Sequence, residues 1–255
     1  MTEIDIDWLL AITRKAGEIA LSHFCNTRGS LKPDSPWVTQ ADLDVEAYLR
    51  EELAKARPGD AILGEEGDNP APQSSAVWAI DPVDGTRVFN HGLPVWGVSI
   101  GLLLDGVPSA GAFYLPVLGD LYHTDGKTAR CNGVALAPPQ PVIDANAILL
   151  VSEGAYKTQH IRYPGKLLSM GSAAAHLCYV ARGVAVGALD RAGVWDYAAA
   201  AAILRVLGVP FRYASGAEVA FPALYDGRPA PEPTLVCPPH LFPTLQAALG
   251  PRPQA

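Results

Sequence analysis

Carboxylates gather where segments of this chain end. Asp81 closes the apolar run Val77, Trp78, Ala79, Ile80, and Asp84 follows just ahead of Gly85 and Thr86. The run reads as a buried strand that Pro82 closes, because its nitrogen cannot donate to a ladder. Two carboxylates that close raise each other's pKa unless a cation neutralises them, and a strand end has no cheap structural use for both. Glu65 follows a second short strand, and Asp196 stands behind Trp195 at a helix start. Oxygen donors of this kind suit a hard divalent cation, and the turn between Pro82 and Gly85 can present the Val83 carbonyl as a further ligand. Gly85 and Thr86 offer backbone N–H groups and a hydroxyl, a natural anion seat. The chemistry indicated is a divalent-metal site that also handles phosphate.

Structural uses compete at several of these positions. Asp196 reads equally as a helix N-cap. Glu65 and Glu66 read as a solvated loop, and Thr86 as a turn hydroxyl. Thr39-x-x-Asp42 fits a capping box; Asp42 could otherwise stand beside the metal and polarise a water. Other chemistries fall away. The six histidines show no zinc-ligand spacing, and there is no Gly-x-Ser-x-Gly elbow, Walker loop or Gly-x-Gly-x-x-Gly fingerprint. Asp-x-x-Asp-Gly-Thr is one residue longer than the Asp-x-Asp-Gly-Thr of haloacid-dehalogenase-type phosphatases, so no covalent aspartyl-phosphate is expected.

The elements that must position these groups are legible from periodicity. Apolar residues at helical spacing predict helices over 4–24 and 39–56, the second ended by Pro58-Gly59. Residues 25–36 read as loop and 61–63 as a strand. The runs 95–104 and 107–114 read as strands joined by the two-residue turn Asp105-Gly106, and 121–123 with Asn132-Gly133 continues an antiparallel pattern. The Pro-rich stretch 137–142 is the best linker. Beyond it come a strand over 147–152, helices over 172–182 and 196–207, a strand near 234–237 and a short helix over 240–249. The expected fold class is α/β, an α+β half followed by an α/β half, with domains 1–142 and 143–255. The first would carry most metal ligands, the second Asp196 and substrate contacts.

Composition sets the outer limits. The 255 residues are 49% hydrophobic and 18% charged, enough for a sizeable core, and the net charge of −7 argues against nucleic acid. No run of eighteen apolar residues exists, so no membrane partner is expected, and the acidic start Met1–Asp7 has no signal-peptide character. Cysteines 25, 131, 178 and 237 are scattered, which suggests reduced thiols in a cytoplasmic protein.

Taken together the motifs resemble those of the inositol monophosphatase family of magnesium-dependent, lithium-sensitive phosphatases. Asp81 to Phe89 is similar to the family's Asp-Pro-x-Asp-Gly-Thr-x-x-Phe, with Val88 where Asn is common. Trp195 to Ala199 resembles its Trp-Asp-x-Ala-Ala, Gly64-Glu65-Glu66 its Gly-Glu-Glu, and Ser35 to Asp42 its Ser-Pro-Val-Thr-x-Ala-Asp with one residue inserted. Gly171-Ser172-Ala173-Ala174 resembles the helix start before the second motif. The resemblance covers roughly residues 30–205 and implies a layered αβαβα sandwich of the inositol monophosphatase/fructose-1,6-bisphosphatase type, usually a homodimer. It implies two or three Mg²⁺ held by Glu65, Asp81, the Val83 carbonyl, Asp84 and Asp196. Asp42, Thr86 and Glu65 would be catalytic, and Asp84, Gly85 and Thr86 would seat phosphate. Substrate contacts fall to Arg87, Gly171, Ser172, Asp190 and Arg191, although the loop from Gly187 to Trp195 is shorter than in typical inositol phosphatases.

The implied reaction is hydrolysis of a small phosphorylated metabolite by direct attack of metal-activated water. Inositol monophosphate is the first expected substrate. Histidinol phosphate is the alternative, because Lys32–Pro36 and Arg57–Asp60 resemble stretches of histidinol-phosphatases. 3′-Phosphoadenosine 5′-phosphate and a sugar bisphosphate come after it. An inactive ligand-binding relative is the non-enzyme alternative.

Overall fold

The computed structural model describes residues 4–26, 30–32 and 35–251. In chain order the elements are α1 (Ile6–His23), β1 (Ser30–Lys32), β2 (Ser35–Val38), α2 (Gln40–Ala56), β3 (Ala61–Gly64), β4 (Ala76–Asp84), α3 (Thr86–Asn90), β5 (Gly97–Leu104), β6 (Val107–Leu115), β7 (Asp120–Thr124), β8 (Ala129–Cys131) and β9 (Val134–Ala135). They continue with β10 (Ile148–Val151), α4 (Glu153–Thr158), β11 (Gln159–Ile161), β12 (Lys166–Leu168), α5 (Ala173–Ala181), β13 (Gly187–Asp190), α6 (Val194–Val206), β14 (Thr234–Val236), α7 (Phe242–Ala247) and β15 (Leu249–Pro251).

A seven-stranded sheet runs β3-β4-β5-β6-β7-β8-β9, parallel between β3 and β4 and antiparallel elsewhere. A four-stranded sheet runs β12-β10-β13-β14, with only β14 antiparallel. Helices α1 and α2 cover one face of the large sheet, and α5 and α6 lie between the two sheets. Helices α4 and α7 pack on the far side of the small one. The result is the layered αβαβα sandwich. Strand alternation divides the core: Trp78 and Ile80 join the cluster under α1 and α2, while Val77 and Ala79 face the cluster under α5 and α6. The inner helix α6 is alanine-rich because it lies almost on the strands. A Cβ at Gly101 would come 2.4 Å from the Ala199 nitrogen.

Several expectations need correction. Pro82 does not end the strand; β4 continues to Asp84 through an irregularity between Asp81 and Asp84, where one residue is extra relative to β5. A bulge tolerates a residue without an N–H, which is why proline fits there. The stretch 25–36 is not all loop, since β1 and β2 pair antiparallel. Pro33 and Asp34, within the Lys32–Pro36 resemblance, lie outside the described residues. The last helix is shorter than 240–249 because the chain extends again at Leu249 and pairs with β11. The hairpin at 105–106 is as expected, with φ of 50° at Asp105 and 78° at Gly106.

Candidate metal centre and active site

The bulge in β4 sends Asp81, Val83 and Asp84 to one end of the large sheet. Ser99 pairs with Asp81 across the ladder, and its hydroxyl donates to the Trp195 carbonyl at 3.0 Å. That bond ties the first turn of α6 to the strand end and brings in Asp196. Helix α6 begins at Val194, so Asp196 is its third residue and not its N-cap; its Oδ2 accepts the Gly193 N–H at 2.7 Å. One carboxylate oxygen from each of Asp81, Asp84 and Asp196 lies within 4.8 Å of the others.

Glu65 lines the same cavity of about 800 Å³ as these three aspartates. The loop that carries it is not simply solvated, because α2 holds it. Glu46, buried, accepts from Arg50 Nε at 2.8 Å and from the Glu66 N–H at 2.8 Å. Arg50 donates to Asn69 Oδ1 at 3.2 Å, and Asn69 bonds both the N–H and the carbonyl of Gly64.

Asp42 does close a capping box, taking the Thr39 N–H at 2.7 Å and the Thr39 hydroxyl at 2.5 Å. Its other oxygen faces the site, 3.3 Å from Thr86 Oγ1. That hydroxyl also lies 3.1 Å from the Val83 carbonyl. Capping and the second role therefore coexist in one side chain. Gly85, with φ of 97°, turns the chain from β4 into α3, whose opening N–H groups lack intrahelical partners.

Asp84 spans the two halves of the chain. Ser172 Oγ donates to Oδ2 at 2.5 Å, the Ala174 N–H to Oδ2 at 2.8 Å and the Ala173 N–H to Oδ1 at 3.1 Å. A carboxylate at the start of α5 satisfies amides that the helix cannot.

Crowding sets the electrostatics. Burial, then the charges of neighbouring carboxylates, push Glu65 and Asp81 well above the usual range. Burial and the Asp84 charge push Asp196 up to about 8. Burial raises Asp84 to about 6 against its hydrogen bonds from Ser172, Ala174 and Ala173. Burial also raises Asp42 to about 6 against its bonds from Thr39. Asp81 Oδ2 is buried without a hydrogen-bond partner among the described residues. An all-oxygen donor set, an orphaned carboxylate oxygen and acids held reluctant to ionise fit a hard divalent cation such as Mg²⁺.

Of the residues expected at the substrate, Arg87, Gly171, Ser172 and Arg191 line the cavity. Arg87 pairs with Glu153, and Arg191 is anchored by donation to the Ala230 carbonyl at 2.9 Å and the Pro231 carbonyl at 3.3 Å. Asp190 does not meet the expectation of a direct contact. It is fully buried at the end of β13, and its Oδ1 lies 2.8 Å from His176 Nδ1. Burial lowers the His176 pKa, but the charge and hydrogen bond of Asp190 and the charge of Asp84 outweigh it, so the net direction is upward. The Met170 N–H, 2.9 Å from Nε2, opposes this because a protonated Nε2 has no lone pair to accept it. The neutral Nδ1–H ring satisfies both bonds. His176, Glu46, Arg50 and Asn69 carry no motif that marks them in the sequence. Only the Glu46–Arg50 spacing of four on a helix gives a local signal.

The model of the inositol monophosphatase family matches residues 3–240. The chain belongs to that family. The stretches Asp81–Phe89 and Trp195–Ala199 both contribute residues to one cavity. An inositol-1-monophosphatase of Mycobacterium leprae is 36% identical over 202 residues, covering 71% of this chain and 69% of that protein. Histidinol-phosphatases of Chlorobaculum parvum (38% over 134 residues) and Mycobacterium tuberculosis (41% over 120 residues) are similar over 51% and 46% of this chain. Those two matches span about half the length of each relative, 51% and 46%. The extragenic suppressor protein suhB from Bartonella henselae superposes with a TM-score of 0.83 at 26% identity, over 95% of this chain and 97% of that one. Among the described residues no helix is long and apolar enough to cross a membrane.

Proposed function

We propose that this protein is a Mg²⁺-dependent phosphomonoesterase acting on a small phosphorylated metabolite. The observation that carries the reading is the convergence of Asp81, Asp84 and Asp196 oxygens within 4.8 Å, in a cavity that Glu65, Gly85 and Thr86 also line. Glu65, Asp81, the Val83 carbonyl, Asp84 and Asp196 would hold two or three ions. Bound there, the ions supply positive charge for the phosphate and acidify water.

The chain's own groups supply the rest. Thr86, within reach of Asp42, orients the attacking water, and Asp42 takes its proton. Glu65 assists from the same cavity. The N–H groups of Gly85 and Thr86 seat the phosphate oxygens as charge builds on them. Arg87, Gly171, Ser172 and Arg191 face the leaving alcohol. Water attacks phosphorus directly, and no residue is phosphorylated. We further propose units 1–142 and 143–255 as the two working halves, a cytoplasmic homodimer, inhibition by lithium, and neither nucleic acid nor a membrane as partner.

Inositol monophosphate is the favoured substrate, supported by the longer match to an inositol-1-monophosphatase. Histidinol phosphate is the second reading, supported by the higher identity over half the chain. Turnover of both esters, with and without Mg²⁺, tests the proposal. Activity that needs no Mg²⁺ sinks the mechanism, and a hundredfold preference for histidinol phosphate reverses the order of substrates.

A further inference from the structure

A buried circuit runs into the cavity wall, where His176 is a lining residue and Asp190 is not. His176, on α5, is 1% exposed, and Asp190 is 0% exposed. His176 Nδ1 lies 2.8 Å from Asp190 Oδ1, and the Met170 N–H donates to Nε2 at 2.9 Å. A backbone amide can only donate, so Nε2 is the acceptor and Nδ1 carries the proton to Asp190. Asp190 thus selects the tautomer that Met170 requires.

Met170 opens the turn that leads into α5. Gly171 in that turn has φ of 87°, and a Cβ there would come 2.3 Å from Val88 Cγ1, so no side chain can pin the turn at its centre. The turn ends at Ser172, whose hydroxyl, with the N–H groups of Ala173 and Ala174, holds the Asp84 carboxylate. Hydrogen bonds therefore connect Asp190 to Asp84 through His176 and the turn, and neither Asp190 nor His176 belongs to the carboxylate cluster. A buried His–Asp pair is a weak source of stability, because an apolar pair of similar volume often folds as well.

We infer that His176 and Asp190 form a positioning latch that fixes the Met170–Ser172 turn and, through Ser172, aims Asp84 into the cation cluster. The latch rests on the reading of Asp84 as a cation ligand. Both act as positioning residues, since neither belongs to the carboxylate cluster that would hold the cation.

Reach makes the latch testable. Glutamine at 176 can place its carbonyl oxygen near the position of Nε2 and accept the Met170 N–H, whereas asparagine is too short. Mn²⁺ affinity, followed by electron paramagnetic resonance on the full-length protein, should fall about tenfold or more in His176→Asn and stay within about threefold of wild type in His176→Gln. Hydrogen exchange at the Met170 amide should quicken about tenfold in the asparagine variant alone. Equal losses of Mn²⁺ affinity in the two variants, or an unchanged Met170 amide in His176→Asn, would overturn the latch. The wild-type protein gives a test that needs no variant, because ring ¹⁵N shifts should show Nε2 unprotonated at neutral pH, and a proton on Nε2 overturns the assignment. Failure of the phosphatase reading has a different signature: no phosphomonoester turned over by wild type, with the Mn²⁺ and exchange orderings intact.

Discussion

The Thr86 hydroxyl lies 3.3 Å from Asp42 Oδ1, joining the start of α3, just past the bulged end of β4, to the first turn of α2. With the Val83 carbonyl 3.1 Å away as a second acceptor, its single proton can go to either oxygen, which leaves the hydroxyl lone pairs free to accept. Asp42 keeps its own orientation through Thr39. Removing one member of a unit that orients water should cost about as much as removing both. Asp42→Asn and Thr86→Ala should each lower kcat about 100-fold or more, with KM changed far less, and the double variant should be little worse than either. Steady-state kinetics on the preferred ester at saturating Mg²⁺ checks this. Strictly additive losses would mean that the two side chains act separately.

Asp81 carries the clearest sign that the cluster is built for a cation, since one of its buried oxygens has no hydrogen-bond partner among the described residues. Asp81→Asn keeps the shape and the acceptor for the Val83 N–H while removing one negative charge. Without divalent cation the variant should melt at a higher temperature than wild type above about pH 8, where the wild-type cluster ionises and its carboxylates repel one another. It should also lose the Mg²⁺-induced rise in Tm, which in wild type should be roughly 5–10 °C at a hundredfold excess over Kd. Turnover should drop by about 1000-fold or more, as a metal ligand is lost. A wild-type-sized Mg²⁺ shift in Asp81→Asn would remove Asp81 from the ligand set.

The Glu65 loop depends on a pair one layer back. Glu46 has only 4% of its side chain exposed, and Arg50 is its ion-pair partner at 2.8 Å. Arg50 also donates to Asn69, which pins Gly64 just before Glu65. Arg50→Ala leaves a buried carboxylate short of its partner, at a cost of about 3 kcal/mol. Thermal melts should show that loss as roughly 5–10 °C in Tm, and half-maximal activity should need about tenfold more Mg²⁺. Arg50→Lys should not restore the Mg²⁺ requirement, because a single ammonium cannot serve both Glu46 and Asn69 in the same geometry.

How far the site could be read from sequence follows the range of the interactions. Asp81, Asp84, Gly85 and Thr86 were legible because they sit within one short stretch, and paired carboxylates at a buried strand end are costly unless a cation neutralises them. Pro82 misled, since strand-closing is its local meaning and only the ladder with β5 shows the bulge that absorbs it. Asp196 was ambiguous as a cap and is placed by Ser99, whose bond to Trp195 crosses from one sheet to the other half of the chain. Asp190 was expected at the substrate because the family resemblance implies an acidic residue there, although the loop is short. Its partner is His176, and no helix or strand period connects those two positions. Short elements such as α3 and β9 are too brief to show a period at all.

Titration of the cluster should tie stability, pH and cation together. Asp196 is raised to about 8, and Asp42 and Asp84 to about 6, from an ordinary 3.8. Between the ordinary and the raised values the folded protein holds protons that the unfolded chain has released, so each proton stabilises the fold. Without divalent cation, the contribution of these groups to stability is therefore greatest below about pH 4 and is lost as pH rises through about 6 and then about 8. A cation reverses the balance by binding the ionised carboxylates and displacing those protons. The Mg²⁺-induced rise in Tm should accordingly grow from pH 5 to pH 8. Calorimetry in buffers of differing ionisation enthalpy should record proton release on binding that declines above about pH 8. A Mg²⁺ shift equal at pH 5 and pH 8, with no protons released, would show that the carboxylates are already ionised before the cation arrives.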